Sequence, residues 1–369
     1  MLGSEACDFK PDTFSKPADT LLAIISRRNL TVDAVAHELE GGMRTMRGLV
    51  TGTQAIDASL ARSLSVAVGG SQEFWLKRQA SYERALDVAL HNALEEIEQW
   101  LSYVPAPAAR PAGRLSESQK LVQLRERLAF YDVNSLKAWH ARYVRVLDKT
   151  QFRTSATFHS KDGPLSLWLR RGELEAALTT TEQWNPLQLR ALISNILKLS
   201  AIRQPSRFLP KLKKLGAKAG VAIVVVRAPE GCRASGASRL VKSDKAMVLL
   251  SFRHLSNDHF WFTLLHELGH LLLHRAEPFV DADDTYLDEK EREANKFAAS
   301  AIVPPERWEE FANLRHDTKT ILKFSASLGV APGLIVGQLQ NKGAVPPNRL
   351  NFLKRRWTWD EVESALVNL

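Results

Sequence analysis

Cysteine is nearly absent from this sequence. Its 369 residues include two cysteines, Cys7 and Cys232, and they are far apart, with no C-x-x-C spacing. A disulfide scaffold and a thiolate metal cluster are therefore disfavoured, and a reducing compartment fits this cysteine usage.

Long hydrophobic runs are also missing. The longest purely aliphatic run extends from Val221 to Val226, far too short to span a bilayer. The first residues, MLGSEACDFKPD, lack the apolar core of a secretory signal. We therefore expect a cytoplasmic protein without a membrane partner.

The remaining composition is that of an ordinary globular protein, with 45% hydrophobic and 25% charged residues. The length allows two or three domains with a sizeable core. A net charge of +9 favours an acidic partner, and nucleic acid is the first candidate.

The pattern along the chain predicts a mostly helical α+β protein. Residues 1–15 form a tail, and 16–90 contain five short helical patterns, with Pro17 in the first turn of one and Thr31 as the N-cap of another. Residues 91–114 combine a Glu-rich helix with a Pro/Ala linker, and 115–205 form a helical middle region. Residues 206–369 contain the predicted strands VAIVVVRA and KAMVLLSFR, the second a candidate edge strand for an extended substrate, and end in a helix.

The stretch FTLLHELGHLLLHR contains two histidines at helical spacing i and i+4. His266 and His270 would therefore project from one face of a helix and could bind one ion, while Glu267 could take a proton from a water molecule. A buried helix with apolar flanks makes these polar residues costly unless something binds them. The pattern predicts a catalytic metal site, most simply zinc at one ion per chain, with manganese or another divalent ion as alternatives.

A third metal ligand should come from downstream. The candidates Glu289, Glu291 and Glu293 lie in YLDEKEREANKFAASAIVPP, which reads as a second helix. Only Glu291 has a residue four positions on, Asn295, that could orient a ligand histidine, so Glu291 is preferred and Glu293 is the alternative. His-His-Glu ligation from two helices is the thermolysin-like, or gluzincin, pattern.

Other polar residues near the motif have less definite roles. His274 lies eight positions after His266 and has drifted roughly 80° around the helix, so it is predicted to support the site rather than bind the ion. Tyr286, His254 and His259 are each candidates to stabilise the oxyanion of a tetrahedral intermediate, and the sequence does not choose among them.

Several separated motifs together resemble the ImmA/IrrE family of metallopeptidases. These are SGASRLVKSDKAMVLLSFRHLSNDHFWFTLLHELGHLLLH, EREANKFAASAIVPP and SLGVAPGLIVGQLQNKGAVPPNRLNFLKRR, which together cover roughly residues 206–356. The resemblance implies His266 and His270 as ligands, Glu267 as base and Glu291 as third ligand. It also implies a cytosolic protease that cuts a repressor protein under stress or in mobile elements.

The N-terminal segment from TVDAVAHELEGG to SQEFWLKRQASYE resembles a lambda-repressor-like helix-turn-helix of the HigA antitoxin type. In such modules the start of the recognition helix enters the major groove, which places Arg44, Thr45 and Arg47 near bases or phosphates. Relatives usually have a polar run at the turn, where this chain has Gly41-Gly42-Met43. The alternative is therefore a module that serves dimerisation or partner contact only.

These patterns predict a transcriptional regulator that combines a promoter-binding module with a zinc endopeptidase acting on a repressor or antitoxin. The alternative is a non-proteolytic DNA-binding repressor or antitoxin whose metal fold senses a ligand or binds a partner. Both predict bound metal, and they differ in whether regulation needs Glu267.

Overall fold

The computed structural model describes residues 14–108, 113–144, 162–274 and 284–367, with the side chains of 144, 162, 284–288 and 367 also outside the description. The chain divides into two compact units, Met1–Asp148 and Lys149–Leu369. The described residues are mostly helical with one small sheet, in agreement with the predicted α+β class. The predicted tail and part of the Pro/Ala linker, residues 109–112, lie outside the described residues.

The first unit is built from helices alone among its described residues. In chain order they are α1 (Pro17–Arg27), α2 (Val32–His37), α3 (Met43–Thr51), α4 (Ala58–Val68), α5 (Gln72–Asn92), α6 (Ile97–Tyr103), α7 (Glu117–Tyr131) and α8 (Leu136–Trp139). A 3-10 turn (Leu94–Glu96) precedes α6, and a π turn (His140–Val144) follows α8.

Local capping accounts for where several of these helices begin. The Thr31 side chain accepts a hydrogen bond from the backbone N–H of Ala34, as predicted for an N-cap, and Asp57 and Ser71 cap α4 and α5 in the same way. Helix α3 ends at Gly52, whose φ of 82° is the left-handed conformation that favours glycine.

The second unit contains the sheet and nine described α-helices. The helices are α9 (Asp162–Leu178), α10 (Pro186–Lys198), α11 (Pro205–Lys218), α12 (Asn257–Leu273), α13 (Asp284–Ile302), α14 (Trp308–Ala312), α15 (Thr318–Leu328), α16 (Pro332–Asn341) and α17 (Trp359–Val367). The strands are β1 (Val221–Val225), β2 (Gly236–Lys242) and β3 (Lys245–Leu250).

The strand order is β1-β3-β2, so the prediction that KAMVLLSFR forms an edge strand is wrong. β3 pairs in parallel with β1 and antiparallel with β2, which places it at the centre. Its continuous apolar run is that of a strand covered on both faces, and Ala246 through Leu250 are all buried. Among the described residues, β2 is the strand that presents an unpaired edge beside the motif helix α12.

One hydrophobic core joins the sheet to the surrounding helices of the second unit. Trp261, Leu264, Leu265 and Leu268 of α12 are fully buried in it, together with Phe208 of α11. Helix α9 also packs against the sheet, so residues 162–205, which sequence analysis groups with 115–161, lie in the same compact unit as the strands.

No single helix in the described ranges is long and apolar enough to cross a membrane, although α15 and α16, bent by 111° at the break between them, reach that length and composition together.

Candidate metal centre

The two motif histidines lie on a helix that is buried on almost every side. α12 begins after Ser256, and its buried set includes His266 and Glu267 as well as the leucines of the core. His266 is 3% exposed and Glu267 is 8% exposed, so both must find polar partners inside the protein.

Gly269, inside the motif, lets the second helix of the site come close. A Cβ atom at this position would lie 2.9 Å from Cδ1 of Phe297 and 3.4 Å from Cα of Ala294. Both of those residues belong to α13, which carries the candidate glutamates. The missing side chain therefore brings the acidic helix within reach of the histidines.

Three donor side chains from these two helices converge. The Nε2 atoms of His266 and His270 are 3.0 Å apart. The Glu291 carboxylate contacts both rings, with Oε2 3.3 Å from His266 Nε2 and Oε1 3.1 Å from His270 Nε2. Among the described residues, His266, His270 and Glu291 are the group of metal-ligating type that comes together in this way.

The spacing of these donors fits a zinc ion. Zinc binds imidazole nitrogen and carboxylate oxygen at about 2.0–2.2 Å, and two ligands at that distance in a tetrahedron lie about 3.3 Å apart. The two Nε2 atoms are 3.0 Å apart, and each lies 3.1 or 3.3 Å from one of the two Glu291 oxygens, so the donor groups are spaced close to that edge length. Three protein ligands leave one tetrahedral position open, as in catalytic rather than structural zinc sites.

The other glutamates of α13 point elsewhere. Glu289 is exposed, and Glu293 is 55% exposed, with its carboxylate 3.6 Å from Nδ1 of His274. The structure therefore brings Glu291, and not its two acidic neighbours, to the motif histidines.

Asn295 and His274 flank the triad. Asn295 Oδ1 lies 3.2 Å from Nδ1 of His266, so a proton on Nδ1 would be donated to the amide oxygen and leave Nε2 as the ligand atom. The Nε2 atom of His274 lies 3.1 Å from the backbone oxygen of Lys290, and its ring centre is 5.3 Å from that of His270. His274 thus links α12 to α13 beside the site.

Charge in the site favours an ionised Glu291. Burial would raise the pKa of this carboxyl, but hydrogen bonds from His266 and His270 outweigh it and lower the pKa to about 2. Burial would likewise lower the pKa of His270, but Glu291 and Glu267 outweigh it and raise the pKa. A divalent cation at this site would therefore meet an ionised carboxylate donor.

Glu267 points to strand β2. Its Oε2 accepts a hydrogen bond from the Ser238 hydroxyl at 2.8 Å. Sequence reasoning missed Ser238, because neither of the two serines in SGASRL carries a sequence signal that would point to such a role.

The candidate oxyanion-stabilising residues lie in different places. His254 and His259 stack on each other with ring centres 4.3 Å apart. His259 lies in the first turn of α12, two turns before His266, and His254 precedes the helix. Burial lowers the pKa of His254 to about 4, helped by His259 and Arg253. The side chain of Tyr286 lies outside the described residues.

The three residues predicted to contact DNA lie on α3 in the first unit. Arg44 and Arg47 are exposed on this helix. Thr45 differs, since it is 8% exposed and its hydroxyl donates to the backbone oxygen of Glu40 at 2.5 Å. A nucleic-acid contact from α3 would therefore come from the two arginines.

The triad, the neighbouring carboxylate and the open sheet edge are typical of a metallopeptidase-type site. Residues 221–336 match the family model of the IrrE N-terminal-like domain, Peptidase_M78, which supports the ImmA/IrrE resemblance and the peptidase class for this part of the chain. The matched range runs from β1 to α16 and includes every residue of the candidate site. No curated protein matches the sequence.

Proposed function

We propose that the second unit is a zinc-dependent endopeptidase. The observation that carries this proposal is the convergence of His266, His270 and Glu291, with Glu267 one position along the motif helix. A zinc ion held by these three side chains would supply Lewis-acid chemistry, polarising the scissile carbonyl and making a water molecule more acidic.

The remaining chemistry belongs to residues of the chain. Glu267 is an acceptor placed beside the ligands, so it would take the proton of the attacking water and pass it to the leaving amine. Its burial excludes competing bulk water from the carboxylate. Asn295 would hold His266 in the tautomer that keeps Nε2 free for the metal.

The free edge of β2 is suited to hold an extended peptide. The backbone N–H of Ser251 donates to Ser235 at 3.0 Å, and the register continues as Gly236↔Leu250, Ala237↔Leu249 and Ser238↔Val248. Because hydrogen-bonded and non-hydrogen-bonded pairs alternate in an antiparallel ladder, Gly236 and Ser238 direct their backbone groups away from β3. A substrate strand could form backbone hydrogen bonds with Gly236 and Ser238, next to the Glu267 side chain.

We further propose that the first unit binds promoter DNA and that the substrate is a repressor or antitoxin. The exposed Arg44 and Arg47 lie near the start of α3, the second helix of the α2–turn–α3 segment, and favour the DNA contact. The substrate class follows from the ImmA/IrrE resemblance. The competing function is regulation without proteolysis, in which the metal fold senses a ligand or binds a partner.

The peptidase function requires Glu267, whereas regulation without proteolysis does not. Zinc-loaded full-length protein is incubated with a proteome-derived peptide library, and cleavage is followed by mass spectrometry. Glu267→Gln should lower the turnover of the cleaved peptides at least about 100-fold, because a positioned base contributes that much or more to proton transfer. The matched control Glu289→Gln, an exposed glutamate on the neighbouring helix, should cleave as wild type does. Equal cleavage by wild type and Glu267→Gln would sink the peptidase proposal.

A further inference from the structure

Strand β2 contacts the Glu267 side chain at two positions of one face. Residues 236 and 238 are two apart, so their side-chain directions coincide on a strand. At position 238 the serine hydroxyl donates to Glu267 Oε2 at 2.8 Å. At position 236 there is no side chain, and a Cβ atom there would lie 2.7 Å from Glu267 Oε1 and 2.8 Å from its Cγ.

These two positions leave the Glu267 carboxylate little room to turn. A Cβ at position 236 would also lie 2.6 Å from Cγ2 of Thr263, one turn earlier on α12. The carboxylate thus lies between α12 and the backbone of β2, and among the described residues the Ser238 hydroxyl donates a hydrogen bond to it. A buried carboxylate with several rotamers available needs such a contact to keep one orientation.

We propose that Ser238 is the positioning residue for Glu267, and that Gly236 provides the space in which Glu267 is held. This inference rests on the proposed peptidase function, in which Glu267 is the base. Ser238 acts through Glu267 and does not itself touch the reacting atoms.

Through its backbone, Ser238 would also fix the position of the substrate along β2. The backbone N–H and C=O of Ser238 face the free edge of β2, where a peptide would pair, while its side chain contacts the base. Substrate backbone and base are thereby tied to one residue of one strand. A displacement of either relative to the other would require β2 to move, and β2 is held by its ladder to the buried central strand.

The expected effect is on the chemical step rather than on binding. Ser238→Ala removes the hydroxyl but keeps the backbone groups that pair with the peptide, so KM should stay within about twofold of wild type. The turnover number should fall about tenfold, since the net free energy of one side-chain hydrogen bond is roughly that of a tenfold change in an equilibrium constant. Ser238→Thr keeps a hydroxyl and should recover most of the lost turnover.

The test uses zinc-loaded full-length protein and the library peptide that wild type cleaves fastest. kcat and KM are measured for wild type, Ser238→Ala, Ser238→Thr and the matched control Ser243→Ala, an exposed serine in the β2–β3 turn. Zinc content is measured in parallel and should be unchanged in all four, because none of these side chains is among the three donors.

A second readout does not depend on activity. Crystal structures of zinc-loaded wild type, Ser238→Ala and Gly236→Ala should show one Glu267 rotamer in wild type, more than one in Ser238→Ala, and a displaced carboxylate in Gly236→Ala. A single wild-type rotamer in Ser238→Ala, or an unchanged kcat in that variant, overturns the inference. If wild type cleaves no peptide at all, the proposed function fails, and the Glu267 rotamers alone decide whether Ser238 positions this side chain.

Discussion

Glu291 differs from the other acidic residues of α13 in what its carboxylate contacts. Each of its two oxygens lies within 3.3 Å of a different histidine ring, whereas Glu293 lies beside His274 and Glu289 faces solvent. These three glutamates lie within five residues but differ in their contacts, because the helix directs only one of their side chains toward the motif histidines.

Metal content should report this difference. Purified full-length protein is expected to carry about one zinc ion per chain, and His270→Ala should lose it. Glu291→Gln should weaken zinc binding far more than Glu289→Gln or Glu293→Gln, since a neutral amide is a poor substitute for the carboxylate donor. Elemental analysis with chelator competition measures all four variants. Stoichiometric zinc in His270→Ala, or equal losses in the three glutamine variants, would contradict this ligand set.

At the scale of elements, backbone hydrogen bonds connect the start of the motif helix α12 to a segment much later in the sequence, at Arg355 and Trp357. The backbone N–H of Asn257 donates to Arg355 O at 2.9 Å, and that of Trp357 donates to Leu255 O at 2.9 Å. Beside them Lys354 Nζ lies 2.6 Å from Asp258 Oδ2, with both side chains nearly buried. This segment lies beyond residues 221–336, yet it helps to hold the helix that carries the site.

Breaking the Asp258–Lys354 pair should therefore destabilise the protein. Asp258→Ala is expected to lower the free energy of unfolding by about 3 kcal/mol, because it removes the charged partner of the nearly buried Lys354 ammonium and leaves it the neutral Gln340 side chain. Urea unfolding followed by tryptophan fluorescence measures the change. The exposed Asp360→Ala is the matched control and should stay within about 0.5 kcal/mol of wild type.

The Asp258–Lys354 pair also determines in which direction its contribution to stability changes with pH. Burial would raise the pKa of Asp258, but hydrogen bonds from Lys354 and Ser256 outweigh it and lower the pKa below its ordinary value. A carboxyl with a depressed pKa contributes stability above its unfolded pKa, about 3.9, and loses that contribution as the pH falls through the folded value. The stability gap between wild type and Asp258→Ala should therefore narrow below about pH 4. A gap that stays constant from pH 7 to pH 3 would argue against the ionised pair.

At the scale of the whole molecule, the two proposed activities reside in separate compact units. The α3 arginines belong to Met1–Asp148, and every donor of the metal site belongs to Lys149–Leu369. Substitutions in one unit should therefore leave the measured property of the other unchanged.

Duplex binding tests this separation. Binding to the DNA upstream of the protein's own gene should weaken steeply with salt, and Arg44→Ala or Arg47→Ala should each lower the salt slope by about one. The variant that combines Arg44→Ala with Arg47→Ala should lose detectable DNA binding and keep its zinc. Glu267→Gln should keep both its DNA binding and its zinc. Arg84→Ala with Arg114→Ala, two exposed arginines of the same unit, is the matched control for gel-shift titrations. Wild type without salt-sensitive binding would remove the DNA-binding half of the proposal.

The sequence by itself determined the features that depend on local geometry. Helical spacing alone predicts that His266 and His270 share a face and that Asn295 follows Glu291 by one turn, because i and i+4 neighbours are a property of any α-helix. Thr31 could be predicted as an N-cap for the same reason, since a cap involves only residues three positions apart.

Only the tertiary structure decided the relations between distant segments. The apolar run in β3 is compatible with an edge or a central position, and pairing with both β1 and β2 made it central. Thr45 is polar and follows Arg44, yet packing of α3 buried it. Ser238 and Gly236 contact Glu267, although they precede it by 29 and 31 residues in the sequence, because the sheet packs against the motif helix. No local pattern encodes such a contact, since it arises only when the hydrophobic core brings strand and helix together.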